Sequence, residues 1–202
     1  MRIMAGANIK HIIINGASGT GKSEYFKRNI LKPAIKKKVK VVVIDPEDEY
    51  DGIYKTSTKS ILNDLRTKPI IRYVPNLRQD NYLEQLDRLY QKIFDNVKGC
   101  IIAIDEARFC GGAQYKLSSG LLELITRGRK RGLKLVVITQ RIALLDKTIT
   151  GNCQIKVLFK CAEDVDWDRY RKVNKELTDK LKHSKNDHAY IYITGLNAKL
   201  VE

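Results

Sequence analysis

Short apolar runs recur along the first 160 residues, at His11–Asn15, Lys40–Asp45, Ile70–Val74, Cys100–Asp105, Leu133–Thr139 and Gln154–Lys160. They are rich in Val and Ile, and each is too short for a helix that packs a core, so they read as buried strands. Between them apolar residues recur every three or four positions. Leu83, Leu86, Tyr90, Ile93, Phe94 and Val97 would share one helix face, and Leu117, Leu121, Leu124 and Ile125 another. Strands alternating with helices predict an α/β fold with a mostly parallel central sheet and helices on both faces.

Other elements follow from local chemistry. Pro33 is expected to end or kink the helix that opens at Lys22. The polar stretch Asp51–Ser60 reads as a link to a short helix around Leu62. After Lys160 come a charged helical segment, Glu163–Leu181, and two closing strands, Ala189–Thr194 and Lys199–Val201, expected as a hairpin at the sheet edge. Trp167 and Tyr170 read as core. No repeat or linker divides the sequence, so residues 1–202 are expected to form a single domain.

Composition adds two points. No run approaches the roughly 20 apolar residues of a membrane-spanning helix, and the N-terminus lacks a signal-peptide pattern, so a cytoplasmic location is expected. Cys100, Cys110, Cys153 and Cys161 lack zinc-site spacing and read as buried thiols. The net charge of +15 favours a polyanionic partner, with nucleic acid the natural candidate. A solvated lysine surface, as at Lys36, Lys37 and Lys38, is the competing explanation, and charge alone does not separate the two.

Candidate chemistry begins at Gly16, Ala17, Ser18, Gly19, Thr20, Gly21, Lys22 and Ser23, a phosphate-binding loop pattern between a strand and a helix. Glycines let successive N–H groups face phosphates, and the helix N-terminus adds partial positive charge. Lys22 is placed on the β and γ phosphates of ATP, and Ser23 on Mg²⁺. The strand Ile101–Ile104 runs into two consecutive carboxylates, Asp105 and Glu106, at the strand end where such sheets bind ligands. Asp105 is assigned to the Mg²⁺ shell and Glu106 to the attacking water. Gln140, at the end of another buried strand, is read as a γ-phosphate sensor. The turn Thr126–Gly132 carries Arg127 and Arg129, either of which would serve as a trans-acting arginine finger or, equally, as a basic helix cap. Asn174–Leu177 lacks the aspartate of a guanine reader.

Four stretches, HIIINGASGTGKS, VVVIDPEDEY, IIAIDEARF and RGRKRGLKLVVITQR, resemble the HerA/FtsK superfamily of ring-forming DNA-pumping ATPases, and within it the HerA-like branch. The resemblance implies a RecA-like P-loop domain of the additional-strand, catalytic-glutamate type. It further implies a homo-oligomeric ring, expected as a hexamer, with ATP between neighbours, DNA through the centre, and Arg127 or Arg129 as the finger. Asp45, Glu47 and Glu49 match an acidic segment of the family whose role the residues do not reveal, with a solvated loop as the alternative; Tyr50 reads as packing. Only residues 1–10 precede the first strand. Such a bare motor resembles the viral genome-packaging ATPases, which implies double-stranded DNA as cargo, a capsid partner, and the host cytoplasm or virion as location. A secretion or conjugation motor acting at a membrane, and a nucleotide-dependent switch, are the rival readings.

Overall fold

The computed structural model describes residues 9–202; residues 1–8, where the absence of a signal-peptide pattern was read, lie outside them. The strands are β1 (Ile12–Asn15), β2 (Lys40–Ile44), β3 (Tyr54–Thr56), β4 (Ile70–Tyr73), β5 (Cys100–Ile104), β6 (Leu133–Thr139), β7 (Ile155–Phe159), β8 (Tyr190–Thr194) and β9 (Asn197–Val201). They form one sheet in the order β3-β4-β2-β5-β6-β1-β7-β8-β9. From β3 to β7 in that order every pairing is parallel, and β8 and β9 add an antiparallel hairpin at the edge. Strand β6 lies between β1 and β5, so an additional strand separates the phosphate-loop strand from the acidic one.

The pleat sends alternate residues to two cores. Val41 and Val43 of β2, Ile101 and Ala103 of β5, and Val136 and Ile138 of β6 face one side. That side is covered by Phe26, Ile30, Leu31 and Ala34 of the helical run Lys22–Lys36. Val42 and Ile44, Ile102 and Ile104, and Leu135 and Val137 face the other. There the cover is α3 (Ile61–Thr67), α4 (Tyr82–Asn96), α5 (Ser119–Arg127), α6 (Lys147–Asn152), α7 (Asp164–Arg171) and α8 (Lys175–His183). Because both faces are covered, the central strands carry near-continuous apolar runs, which is why they stood out in the sequence. Tyr90 of α4 is fully buried and donates its hydroxyl hydrogen to the Cys110 carbonyl at 2.8 Å. Its truncation to Ala would cost about 3–5 kcal/mol through lost burial and the residual cavity together.

Several local expectations need correction. Pro33 does not end the first helix: α1 (Lys22–Phe26) passes through a π-helical turn, Lys27–Leu31, into α2 (Lys32–Lys36). Lys32 N–H bonds the Lys27 carbonyl five residues back, and this wider turn accommodates a ring that carries no N–H of its own. The stretch Asp51–Ser60 contains β3, an edge strand whose polar residues hid it. The segment Glu163–Leu181 is two helices, because the Asn174 side chain accepts from Leu177 N–H at 3.0 Å and caps α8 afresh. Leu83 is 39% exposed, and Leu117 precedes α5, which begins only after Ser118 accepts from Leu121 N–H. All four cysteines are buried and unbridged, and Trp167 and Tyr170 are core.

Candidate functional site

The phosphate loop is hung between two strand ends. Gly16 N–H donates to the Thr139 carbonyl at 3.3 Å at the end of β6, and Ala17 N–H donates to the Lys160 carbonyl at 2.7 Å just beyond β7. A Cβ on Gly16 would lie 2.5 Å from the Phe159 Cβ, so only glycine fits. Gly21, at φ +101°, swings the chain into α1 in a conformation that L residues rarely adopt. The Thr20 hydroxyl and the Lys22 ammonium both donate to the Ala17 carbonyl, at 2.8 and 2.9 Å. Burial lowers the Lys22 pKa, while Glu106 and Asp105 act in the opposite sense. A desolvated cation is thus held over N–H groups at a helix start, the arrangement that attracts anions.

Tyr170 anchors the base of this loop. Its hydroxyl lies 3.0 Å from the Phe159 carbonyl and accepts from the Asn15 amide at 2.5 Å. Sequence reasoning placed Tyr170 in the core correctly but missed this contact, which no spacing could signal.

Asp105 and Glu106 follow β5 directly. Asp105 accepts from Glu106 N–H at 2.9 Å and from the Tyr50 hydroxyl at 2.8 Å. Burial raises its pKa, and those two donors hold it back. Glu106 sits at φ +40°, a strained conformation for a residue with a Cβ. Burial and the neighbouring Asp105 raise its pKa, while a hydrogen bond from Gln140 and the Lys22 charge lower it. Tyr50, read from sequence as simple packing, is therefore a hydrogen-bond donor to Asp105.

These groups converge. A cavity of about 270 Å³ is lined by Ser18, Gly19, Gly21, Lys22, Ser23, Asp105, Glu106 and Gln140. Gly16, Ala17 and Thr20, on the same loop, are not part of its lining. Glu47 and Glu49, exposed on the segment after β2, complete its wall, so the acidic stretch with no derivable role reaches the site. Asp45 does not: it is buried, accepts from Glu49 and Tyr50 N–H at 3.0 Å, and pairs with Arg72 at 3.1 Å, which pins the segment in place. On the sensor side, buried Asp166 holds Arg141 Nε at 2.8 Å and Ala143 N–H at 2.7 Å and so fixes the chain just beyond Gln140.

The structure does not bring Arg127 or Arg129 to this cavity. Their turn precedes β6, and the seven residues of that strand put it roughly 20 Å from Gln140. Arg127 pairs with Glu123 at 2.6 Å, whereas Arg129 has no ion pair among the described residues. No cluster of three or more metal-ligating side chains occurs among the described residues. Nor is any helix there long and apolar enough to cross a membrane.

Comparison with known proteins places this geometry in a family. Residues 7–109 match the model of the helicase HerA central domain, a span that holds the phosphate loop and the acidic pair and stops short of Gln140. No curated protein sequence matches the chain. Among solved structures, the genome packaging NTPase B204 from Sulfolobus turreted icosahedral virus 2, in complex with AMPPCP, is similar with a TM-score of 0.78. The two are 19% identical, over 96% of this chain and 97% of that one. VirB4 of Thermoanaerobacter pseudethanolicus is similar with a TM-score of 0.69 at 12% identity, over 95% and 88%. At such identities the likenesses establish the fold. Together with the family match over half its length, they make this chain a member of the HerA central-domain family and a P-loop ATPase.

Proposed function

We propose that the protein is a motor that hydrolyses ATP to move double-stranded DNA, acting as a homo-oligomeric ring, a hexamer, in packaging a viral genome. The observation that carries the enzymatic part is the convergence of Lys22, Ser23, Asp105, Glu106 and Gln140 on one cavity at the carboxyl ends of β1, β5 and β6. Loop N–H groups and Lys22 hold the β and γ phosphates, so Lys22 leaves the Ala17 carbonyl for phosphate oxygens. Glu106 orients the attacking water and takes up its proton, a role suited to a carboxylate that burial has made more basic. Gln140, which lines the same cavity as Glu106, reports on the γ phosphate.

The residues fit a magnesium ion. Asp105, Glu106, Glu47 and Glu49 surround one lysine, an excess of negative charge that would repel a triphosphate without a divalent ion. Ser23 and Asp105, which both line the cavity, would hold it. Such an ion takes one or two protein oxygens plus phosphates, and it supplies charge neutralisation when bound.

DNA as cargo is supported by the net charge of +15 and by the likeness to B204, described as a DNA-packaging ATPase. The basic turn lies far from its own chain's cavity, so an arginine finger from it would serve a neighbouring subunit, with Arg129 the better candidate because Arg127 is held by Glu123. The reading is tested by steady-state ATP hydrolysis with and without long duplex DNA at two salt concentrations, with Glu106→Gln as the blank. Several-fold stimulation that fades with salt is expected. Hydrolysis indifferent to DNA would overturn the cargo and favour a protein-directed motor such as a secretion ATPase.

A further inference from the structure

A second cavity, of about 560 Å³, adjoins the first and shares Gly21 and Glu24 with it. Its floor is aromatic. Tyr25 of α1 meets Tyr190 of β8 at 5.2 Å between ring centroids, edge to face, and Phe159 of β7 at 6.0 Å. Phe159 and Tyr190 lie 5.0 Å apart. Phe159 is buried, but Tyr25 and Tyr190 are half-exposed and present ring surface to the cavity. The rim is polar: Arg28 from the helix, Asn186 and His188 from the segment before β8. His188 is tied to the phosphate loop by its Nδ1, 3.2 Å from the Thr20 carbonyl.

Direction links the two cavities. Glu106 and Gln140 mark the γ end of a triphosphate in the first cavity, because that is where water must attack. The α end then runs past Ser23 and Glu24, where the second cavity opens. A nucleoside leaving the α phosphate meets half-exposed rings, and stacking of a base on an aromatic face contributes binding that tolerates the base's identity. The cavity volume falls within the range of small-molecule sites.

From this juxtaposition we infer that the cleft between α1 and the β8–β9 hairpin is the base-binding subsite, where one of the near-perpendicular rings of Tyr25 and Tyr190 stacks on the face of the bound nucleotide's purine and the other meets its edge. It rests on the ATPase reading and gives the edge hairpin a task besides closing the sheet. The hairpin forms one wall of the cleft through Tyr190, Val201 and Glu202.

The test compares two ligands of the protein by calorimetry, Mg-AMPPCP and Mg-tripolyphosphate, which has the phosphates but no base. Tyr25→Leu keeps apolar bulk against Phe159 and removes the ring. It should raise the Kd for Mg-AMPPCP about tenfold and leave that for Mg-tripolyphosphate unchanged, while Tyr25→Phe should bind both like the wild type. Tyr190→Leu, on the facing strand, should behave like Tyr25→Leu. Unchanged AMPPCP affinity in both leucine variants, or equal weakening of both ligands, would overturn the subsite while leaving the ATPase reading in place. If the wild-type protein bound neither ligand, the ATPase reading would fall, and the subsite with it.

Discussion

At the carboxyl end of β6, Gln140 joins Glu106 in lining a cavity where Lys22 and Asp105 are also buried. At the amino end of the same strand, the turn Gly128–Arg131 carries three cations at the surface. The first group converges at a cost: desolvation shifts Lys22, Asp105 and Glu106 away from their charged forms, and Glu106 is strained at φ +40°. The second group is met locally only in part. Arg127 pairs with Glu123, Arg131 donates to the Asp95 carbonyl at 2.6 Å, and Gly132 closes the turn at φ +77°. Charges that converge against their own solvation point to a ligand. Arg127 and Arg131 are thus engaged within the cap, whereas Arg129 has no ion pair among the described residues, and catalytic work for it requires a second subunit.

The comparison breaks most sharply at Arg129. If it reaches a neighbour's γ phosphate, Arg129→Ala should lower turnover about a thousandfold, and Arg127→Ala far less. Mixing Arg129→Ala with Glu106→Gln chains should restore activity, since some interfaces then carry both groups. Turnover of the single variant at the wild-type rate, or a mixture as inactive as its parts, would return the turn to a purely structural role.

Next in size is Lys22→Ala, which removes the buried cation from the convergent end. Equilibrium binding should show nucleotide affinity reduced about tenfold to a hundredfold. Retained affinity would mean that the loop N–H groups suffice.

Tyr50→Phe probes how the convergent end is held. It leaves buried Asp105 with one donor fewer, costing about 1–3 kcal/mol, visible as a lower Tm. Losing that donor raises the Asp105 pKa further, so the acid limb of the pH–rate profile should move to higher pH. An unmoved limb would show that Tyr50 only packs.

The smallest effect is on stability. Because burial raises the Glu106 pKa, the folded chain binds more protons than the unfolded one between the ordinary glutamate value and the raised one, and stability falls as pH climbs through that window. Glu106→Gln should therefore raise the Tm by a few degrees at neutral pH. The gain should shrink in acid, where wild-type Glu106 is itself neutral. A Tm difference that ignores pH would contradict the assigned cost.

Legibility in the sequence followed burial. Strands β2, β5 and β6 are apolar on both faces and could be read to within a residue, whereas β3 pairs on one side only, and its polar residues gave no signal. Gly16–Ser23 and the carboxylate pair were legible because their chemistry needs adjacent residues on a strand end. Tyr50 on Asp105, Tyr170 on Asn15 and Asp166 on Arg141 bridge residues 25 to 155 positions apart, and local pattern carries no trace of such pairs. The aromatic cleft was hidden for the same reason, since α1 and β8 meet only in the folded sheet.

The central claim is that the convergent end hydrolyses ATP through Glu106. The most direct test is phosphate release from Mg-ATP by the wild type and by Glu106→Gln, with bound ATP measured in the same samples. The account predicts steady release by the wild type. In the variant, ATP should stay bound while release falls about a hundredfold or more. Equal release by the two proteins would contradict the account, because the buried, strained carboxylate would then have no part in the chemistry.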